Sequence, residues 1–177
     1  MNRLALALLV ALAPLVAATS ASACGMYRPT QEAELLMAKS LIERGDAALA
    51  RKELRSAVRQ YNRAMSATGP RNIRATAAIK AGEVYAQLGR AKHAVRRFKR
   101  AVRIAPFFSD GHQALGFALI DAEPQKAIVH LEGALAASDQ GTADTHAGLA
   151  IAYARTGDAA KAKSLSLIHI SEPTRPY

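Results

Sequence analysis

Four of the five histidines, His93, His112, His130 and His146, are the first side chains to test for metal or acid–base chemistry. His112 and His146 stand 34 residues apart, at one position of a recurring pattern. A zinc-type ion needs ligands converging at bond lengths near ~2 Å, whereas corresponding points on neighbouring packed helices lie roughly 10 Å apart. The pair therefore reads as structural. Asp110, Asp121, Asp144 and Asp158 fall in helix starts and turns, where a carboxylate favours the helix dipole, and no two of them form an acid–base pair. Gly82, Gly89, Gly116, Gly148 and Gly157 lie in no dense run between a strand and a helix, so they build no phosphate loop. Cys24 is the only cysteine, which excludes an internal disulfide and any multi-thiolate metal site. No catalytic group, metal site or cofactor is expected, and the chain is not read as an enzyme.

Basic residues form the stronger pattern. Arg51, Arg55, Arg59 and Arg63 recur every four residues and make one oblique stripe beside an apolar face of Leu54, Ala57, Val58, Tyr61 and Met65. Arg96, Lys99, Arg100 and Arg103, with Lys92 and Arg97, accompany Ala94, Phe98 and Ala101 in the same way. From Arg51 to Arg103 there are fifteen Lys or Arg against only Glu53 and Glu83, while from Ile104 to Ser164 there are four against seven acidic residues. One half of the chain is strongly basic and the other mildly acidic. A solvated face is one reading, since exposed Arg suits helices; a cationic surface for anionic lipid or polymer is the other. Nucleic acid is the weakest of the electrostatic partners, because no aromatics interleave with the arginines for base stacking.

The elements that position these residues are helices. Half the sequence is apolar, with four Phe and no Trp, and Ala and Leu carry most of that share, a composition for packed helices rather than a sheet. From Ala75 to Phe108, Ala78, Ala81, Gly82 and Tyr85 share one helical face, Gly89 breaks the helix, and Ala94, Phe98 and Ala101 make the facing stripe of a second helix that Pro106 ends. Gly82 and Ala94 permit a close approach, with Tyr85 and Phe98 filling the space beside it. Gly82, Tyr85, Gly89, Ala94, Phe98, Ala101 and Pro106 together resemble the tetratricopeptide-repeat signature along its full length. Downstream, Gly116 and Leu119 follow Gly82 and Tyr85 by 34 residues, while Ala127, Leu131 and Ala134 follow Ala94, Phe98 and Ala101 by 33, which puts a one-residue deletion in the turn at Asp121 to Pro124. A further 34 residues on, Leu149, Ala150 and Tyr153 echo Leu115, Gly116 and Leu119, before a turn at Gly157-Asp158.

Upstream, Ala57, Tyr61 and Ala64 precede Ala94, Phe98 and Ala101 by 37 residues. Taking Gly45 as the counterpart of Gly89 predicts helices over 31–44 and 46–67, about two turns longer than the family pattern, and a turn at Thr68-Gly69-Pro70. The resemblance implies an all-α fold: antiparallel helix-pair repeats stacked as a right-handed α-solenoid, about three and a half repeats over 31–164 (31–70, 75–108, 109–141 and a partial 143–164).

Both ends read differently. Met1-Asn2-Arg3, an apolar run from Leu4 to Ala18 and the small residues up to Ala23 form a secretory signal peptide over 1–23, too short for a membrane span of about 20 apolar residues. The mature chain is expected to begin at Cys24, ahead of a linker over 24–30, and to reside in the periplasm or envelope of a bacterium. Ala21-Ser22-Ala23-Cys24 resembles a lipoprotein lipobox, which makes Cys24 a candidate lipidation site, although that family prefers a larger aliphatic at Ala21; a free thiol is the other reading. At the far end, Leu165-Ser166-Leu167-Ile168-His169-Ile170-Ser171-Glu172-Pro173-Thr174-Arg175 resembles the eleven-codon translation of a transposase-inserted sequencing adapter. Residues 165–177 are therefore expected to be a foreign tail, with helical periodicity ending at Ser164 and the last repeat cut off after its first helix. Ala147, Leu149, Ala150 and Tyr153 would then form an exposed, association-prone edge.

The resemblance also places the second helix of each pair on a convex wall and the first on a concave one. With Gly82 and Tyr85 turned toward the second helices, the open side of the first helices carries Ile79, Glu83 and Gln87, then Gln113, Phe117 and Ile120, then Ile151, with Asp121 beside them. Apolar residues in that row predict a groove that buries side chains of a peptide or partner protein and holds its backbone with amides and carboxylates. The alternative function is a cationic surface protein that adheres to anionic lipid or polymer through its basic convex helices.

Overall fold

The computed structural model describes residues 30–138 and 143–171. Among them run eight helices, α1 (Gln31–Ala50), α2 (Leu54–Ser66), α3 (Arg71–Gln87), α4 (Ala91–Ile104), α5 (Ser109–Leu119), α6 (Pro124–Ala136), α7 (Ala143–Thr156) and α8 (Ala159–Ser171), and no strand. Each odd-numbered helix packs antiparallel on the even-numbered one that follows. The backbones of the odd helices also approach one another in succession, whereas those of α2, α4, α6 and α8 stay farther apart. The result is an α-solenoid with an inner row and a splayed outer row.

Residue type explains which helix goes where. α3 buries Ala75, Ala77, Ala78, Ile79, Ala81, Gly82 and Val84, spread over most of its circumference, because it lies between its own partner and both neighbouring repeats. α4 buries only Ala94, Phe98 and Ala101, a single stripe, so its remaining surface is free to carry charge. Close packing within each pair depends on glycine facing a large side chain. A Cβ at Gly82 would stand 2.8 Å from a Phe98 ring carbon, and one at Gly116 2.6 Å from Leu131. Gly45 faces Tyr61 in the same way.

That contact corrects the reading of the first repeat. Gly45 does not end a helix; α1 runs through it to Ala50, and the break comes at Arg51–Glu53. Gly45, Lys52, Ala57, Tyr61 and Ala64 all precede Gly82, Gly89, Ala94, Phe98 and Ala101 by 37 residues, so Gly45 matches Gly82 and there are no extra turns between the paired helices. The additional residues lengthen α3 by a turn at its N-terminal end. Lys52 occupies the turn position with φ 61°, where Gly89 has 69° and Gly157 85°, a left-handed conformation that disfavours a side chain by on the order of 1 kcal/mol. In the third pair Pro124 opens α6 as its first residue, a position where the missing N–H costs nothing.

The end of the array differs from expectation too. α8 continues through Leu165 to Ser171, so helical structure does not stop at Ser164, and the fourth repeat has both its helices. Asp158 Oδ1 accepts from the Lys161 N–H at 3.1 Å and caps α8. Leu149 is 2% exposed and Leu165 packs against the same core, so Leu149 and Tyr153 do not form a bare edge. The signal-peptide and Cys24 readings, and the tail from Glu172 on, lie outside the described residues.

Candidate functional site

The inner faces of α3, α5 and α7 form one surface, and a concavity of about 410 Å³ lies across it. Of the residues expected in a groove, Ile79, Glu83, Gln113 and Phe117 line it. Ile79 is 8% exposed and forms the floor. Phe117 is 40% exposed, with its ring edge against Gly148 of α7, where a Cβ would come within 2.6 Å. Gln113 Nε2 donates to Thr145 Oγ1 at 2.9 Å and ties α5 to α7.

Four expected residues do not line this concavity. Ile120 caps α5 and is 8% exposed, part of the core. Asp121, in the following turn, pairs with Arg155 of α7 at 3.0 Å. Gln87 is exposed at the end of α3, and Ile151 is exposed farther along α7. Of the apolar members of this row, Ile79 and Ile120 are thus core residues, and Phe117 packs in part against α7. Conversely, Thr76, Lys80, Asp110, Ala114 and Asp144 line the concavity and were missed. The signal was available: the first four each precede one of the lining residues named above by three positions, one helical turn on the same face, and Asp144 follows Asp110 by 34.

The groove carries an acidic surplus. Lys80 Nζ is held by Asp46 at 2.9 Å, and the Tyr61 hydroxyl donates to the same Asp46 oxygen at 2.6 Å. Burial, then that hydrogen bond, raises the Tyr61 pKa, so the phenol stays protonated. Glu83, Asp110 and Asp144 are exposed and have no cation at ion-pairing distance among the described residues. Asp110 and Asp144 lie in the first turns of α5 and α7, where the helix dipole stabilises them.

No protein-family model matches the chain, and no curated protein does. Solved structures do. The chain is 25% identical to MamA, covering 76% of this chain and 72% of that one with a TM-score of 0.64. YrrB, a TPR protein with an unusual peptide-binding site, is 18% identical over 78% of this chain and 70% of its own, with a TM-score of 0.62. The Sgt2 TPR domain from Aspergillus fumigatus is 22% identical over 79% and 87%, with a TM-score of 0.60. The chain has the tetratricopeptide-repeat fold.

Within this TPR fold the expected basic stripes lie on the outer helices but do not form one sheet of charge. Arg51, in the turn before α2, pairs with Glu53 at 2.9 Å, and each partner shifts the other toward its charged form. Arg55, Arg59 and Arg63 are exposed on α2. On α4, Lys99 sits among Glu123 and His130 of the next repeat, whose titration it influences. Arg96, Arg100 and Arg103 instead face back toward α2.

Of the two histidines read as structural, His146 lies on α7, and His112 on α5 meets His130 of α6 within the third repeat. His112 Nε2–H donates to the Pro106 carbonyl at 3.0 Å, which leaves its Nδ1 to accept from His130 Nδ1–H at 3.3 Å. Among the described residues no three His, Cys, Asp or Glu are grouped to hold a metal. Burial, then the proximity of His112 and Lys99, pushes the His130 pKa below its ordinary 6.5. A folded value below the unfolded one means that the unfolded chain binds the proton more readily. His130 thus contributes stability above pH 6.5 that is lost as pH falls through the lowered value. Thermal melts at stepped pH should show the melting temperature dropping over that window, with a shallower drop in His130→Gln.

Proposed function

We propose that the chain is a protein-interaction scaffold whose inner wall, formed by α3, α5 and α7, receives an extended segment of a partner protein. The observation that carries this reading is the concavity itself, where the Ile79 floor and the exposed face of Phe117 lie beside Glu83, Asp110 and Asp144. A segment that alternates apolar and basic side chains fits that chemistry: the apolar ones cover Phe117 and Ile79, and Lys or Arg meets the carboxylates. That YrrB is a TPR protein with a peptide-binding site is consistent with this use of the fold. The N-terminal residues 1–23 and Cys24 further support an exported protein of the bacterial envelope, with Cys24 the point at which a lipid anchor would attach.

Photo-crosslinking tests the location of the site. A benzoylphenylalanine at position 83, on the groove rim, should capture a discrete partner from envelope extract, and one at Val129, which is 65% exposed on outer helix α6, should not. The same partner from both positions, or only from the outer one, rejects the inner wall as the site.

A further inference from the structure

The outer face of α4 carries a second, unrelated feature. Because the backbones of α2 and α4 stay apart, a cleft of about 420 Å³ lies between Met65 of α2 and His93, Arg96, Arg97, Arg100 and Arg103 of α4. These five basic residues recur at three- and four-residue intervals and so share one helical face. None of the four arginines has a carboxylate at ion-pairing distance among the described residues. Arg51, Lys80, Lys126, Arg155 and Lys161 each have an acidic partner, whereas the exposed Arg55, Arg59 and Arg63 have none among the described residues, and the four arginines of α4 are gathered in one cleft. Guanidinium groups gathered in one concavity repel one another, and an anion that enters relieves that repulsion.

Two of these side chains are also held in place. Tyr85 is half-buried, with the Arg97 guanidinium carbon 5.7 Å from its ring centroid and the His93 ring centred 5.3 Å away. Stacking of this kind restricts Arg97 before any ligand arrives and reduces the ordering cost of binding. We infer that the cleft between α2 and α4 is a binding site for a phosphate-bearing anion. Guanidinium forks match phosphate oxygens two at a time, and four arginines call for more negative charge than one carboxylate supplies. A nucleic acid is disfavoured because no Tyr, Phe or Trp lines the cleft to stack with a base. A free oligophosphate and a phospholipid headgroup share the required chemistry. The site is on the opposite wall from the groove, so either can fail without the other.

Calorimetric titration with pyrophosphate at low salt, alongside sedimentation with phosphatidylglycerol vesicles and with phosphatidylcholine vesicles as the blank, tests this. Arg96→Gln with Arg100→Gln should weaken pyrophosphate binding about tenfold or more, whereas Arg55→Gln with Arg59→Gln, an equal loss of charge outside the cleft, should change it less than about twofold. Arg97→Lys keeps the charge and loses the fork, and should weaken binding severalfold. Vesicle binding that pyrophosphate displaces identifies the ligand as a lipid headgroup; pyrophosphate binding without vesicle binding identifies a soluble anion. Equal weakening by the two double variants, or no binding to either probe, overturns the site. Circular dichroism melts of each variant verify that the fold is intact.

Discussion

Phe98→Ala should lower the unfolding free energy by about 3–5 kcal/mol, the usual cost of deleting a buried ring. That is a large share of the roughly 5–15 kcal/mol available to a domain of this size. Phe98 is 5% exposed and fills the space that Gly82 leaves open on α3. The same contact predicts a change of sign. Replacing Gly82 by Ala gains about 1 kcal/mol of helix propensity, but the new Cβ runs into the Phe98 ring, and overpacking costs about 1–3 kcal/mol. Alone, Gly82→Ala should therefore destabilise the protein or leave it nearly unchanged. In the Phe98→Ala background, where the ring is absent, it should stabilise. Urea unfolding of the four proteins in this cycle measures the coupling. Equal effects of Gly82→Ala in both backgrounds would show that glycine and ring are not packed as a unit.

The glycine–ring contact also shows where the sequence was legible. Gly82, Phe98 and the residues around them recur at regular spacing, so the helix pairs and their core faces could be read directly. Gly45 was misplaced because glycine serves two purposes here: it breaks helices at Gly89 and Gly157 and permits close contact at Gly82, and only the partner side chain distinguishes them. Lys52 hid the true turn, since nothing in a lysine announces a left-handed backbone. The helical course of 165–171 was missed because the Ile, Ser and His that fill most of it have only modest helix propensity.

The groove was half legible for a related reason. A repeat pattern tells which side of a helix faces its partner, but a first helix has further neighbours in the adjacent repeats, and their reach decides whether Ile79 or Ile120 remains exposed. Position along the helix was lost as well. The open surface lies nearer the N-terminal ends of α5 and α7 than the sequence reading placed it, which brings in Asp110 and Asp144 and leaves out Asp121 and Ile151.

Those carboxylates carry the second large expectation. Each exposed ion pair contributes about 0.2–1 kcal/mol, so removing three should weaken a basic partner segment by between about threefold and a hundredfold. Glu83→Gln, Asp110→Asn and Asp144→Asn remove charge without changing shape much, and none of the three side chains supports the core. The combined variant should therefore melt close to the native protein, with a small loss from the helix-dipole contribution of Asp110 and Asp144. Its binding should also respond less to salt, because the screened interactions are gone.

Peptide selection measures this without knowing the partner. Random decapeptides displayed on phage are selected on the native protein, and the affinities of the winners are then compared on the native protein and on the Glu83→Gln, Asp110→Asn, Asp144→Asn variant. The inner-wall account predicts winners in which Lys or Arg alternates with apolar residues and which lose affinity on the variant. Winners without basic residues, or with equal affinity for both proteins, would contradict it.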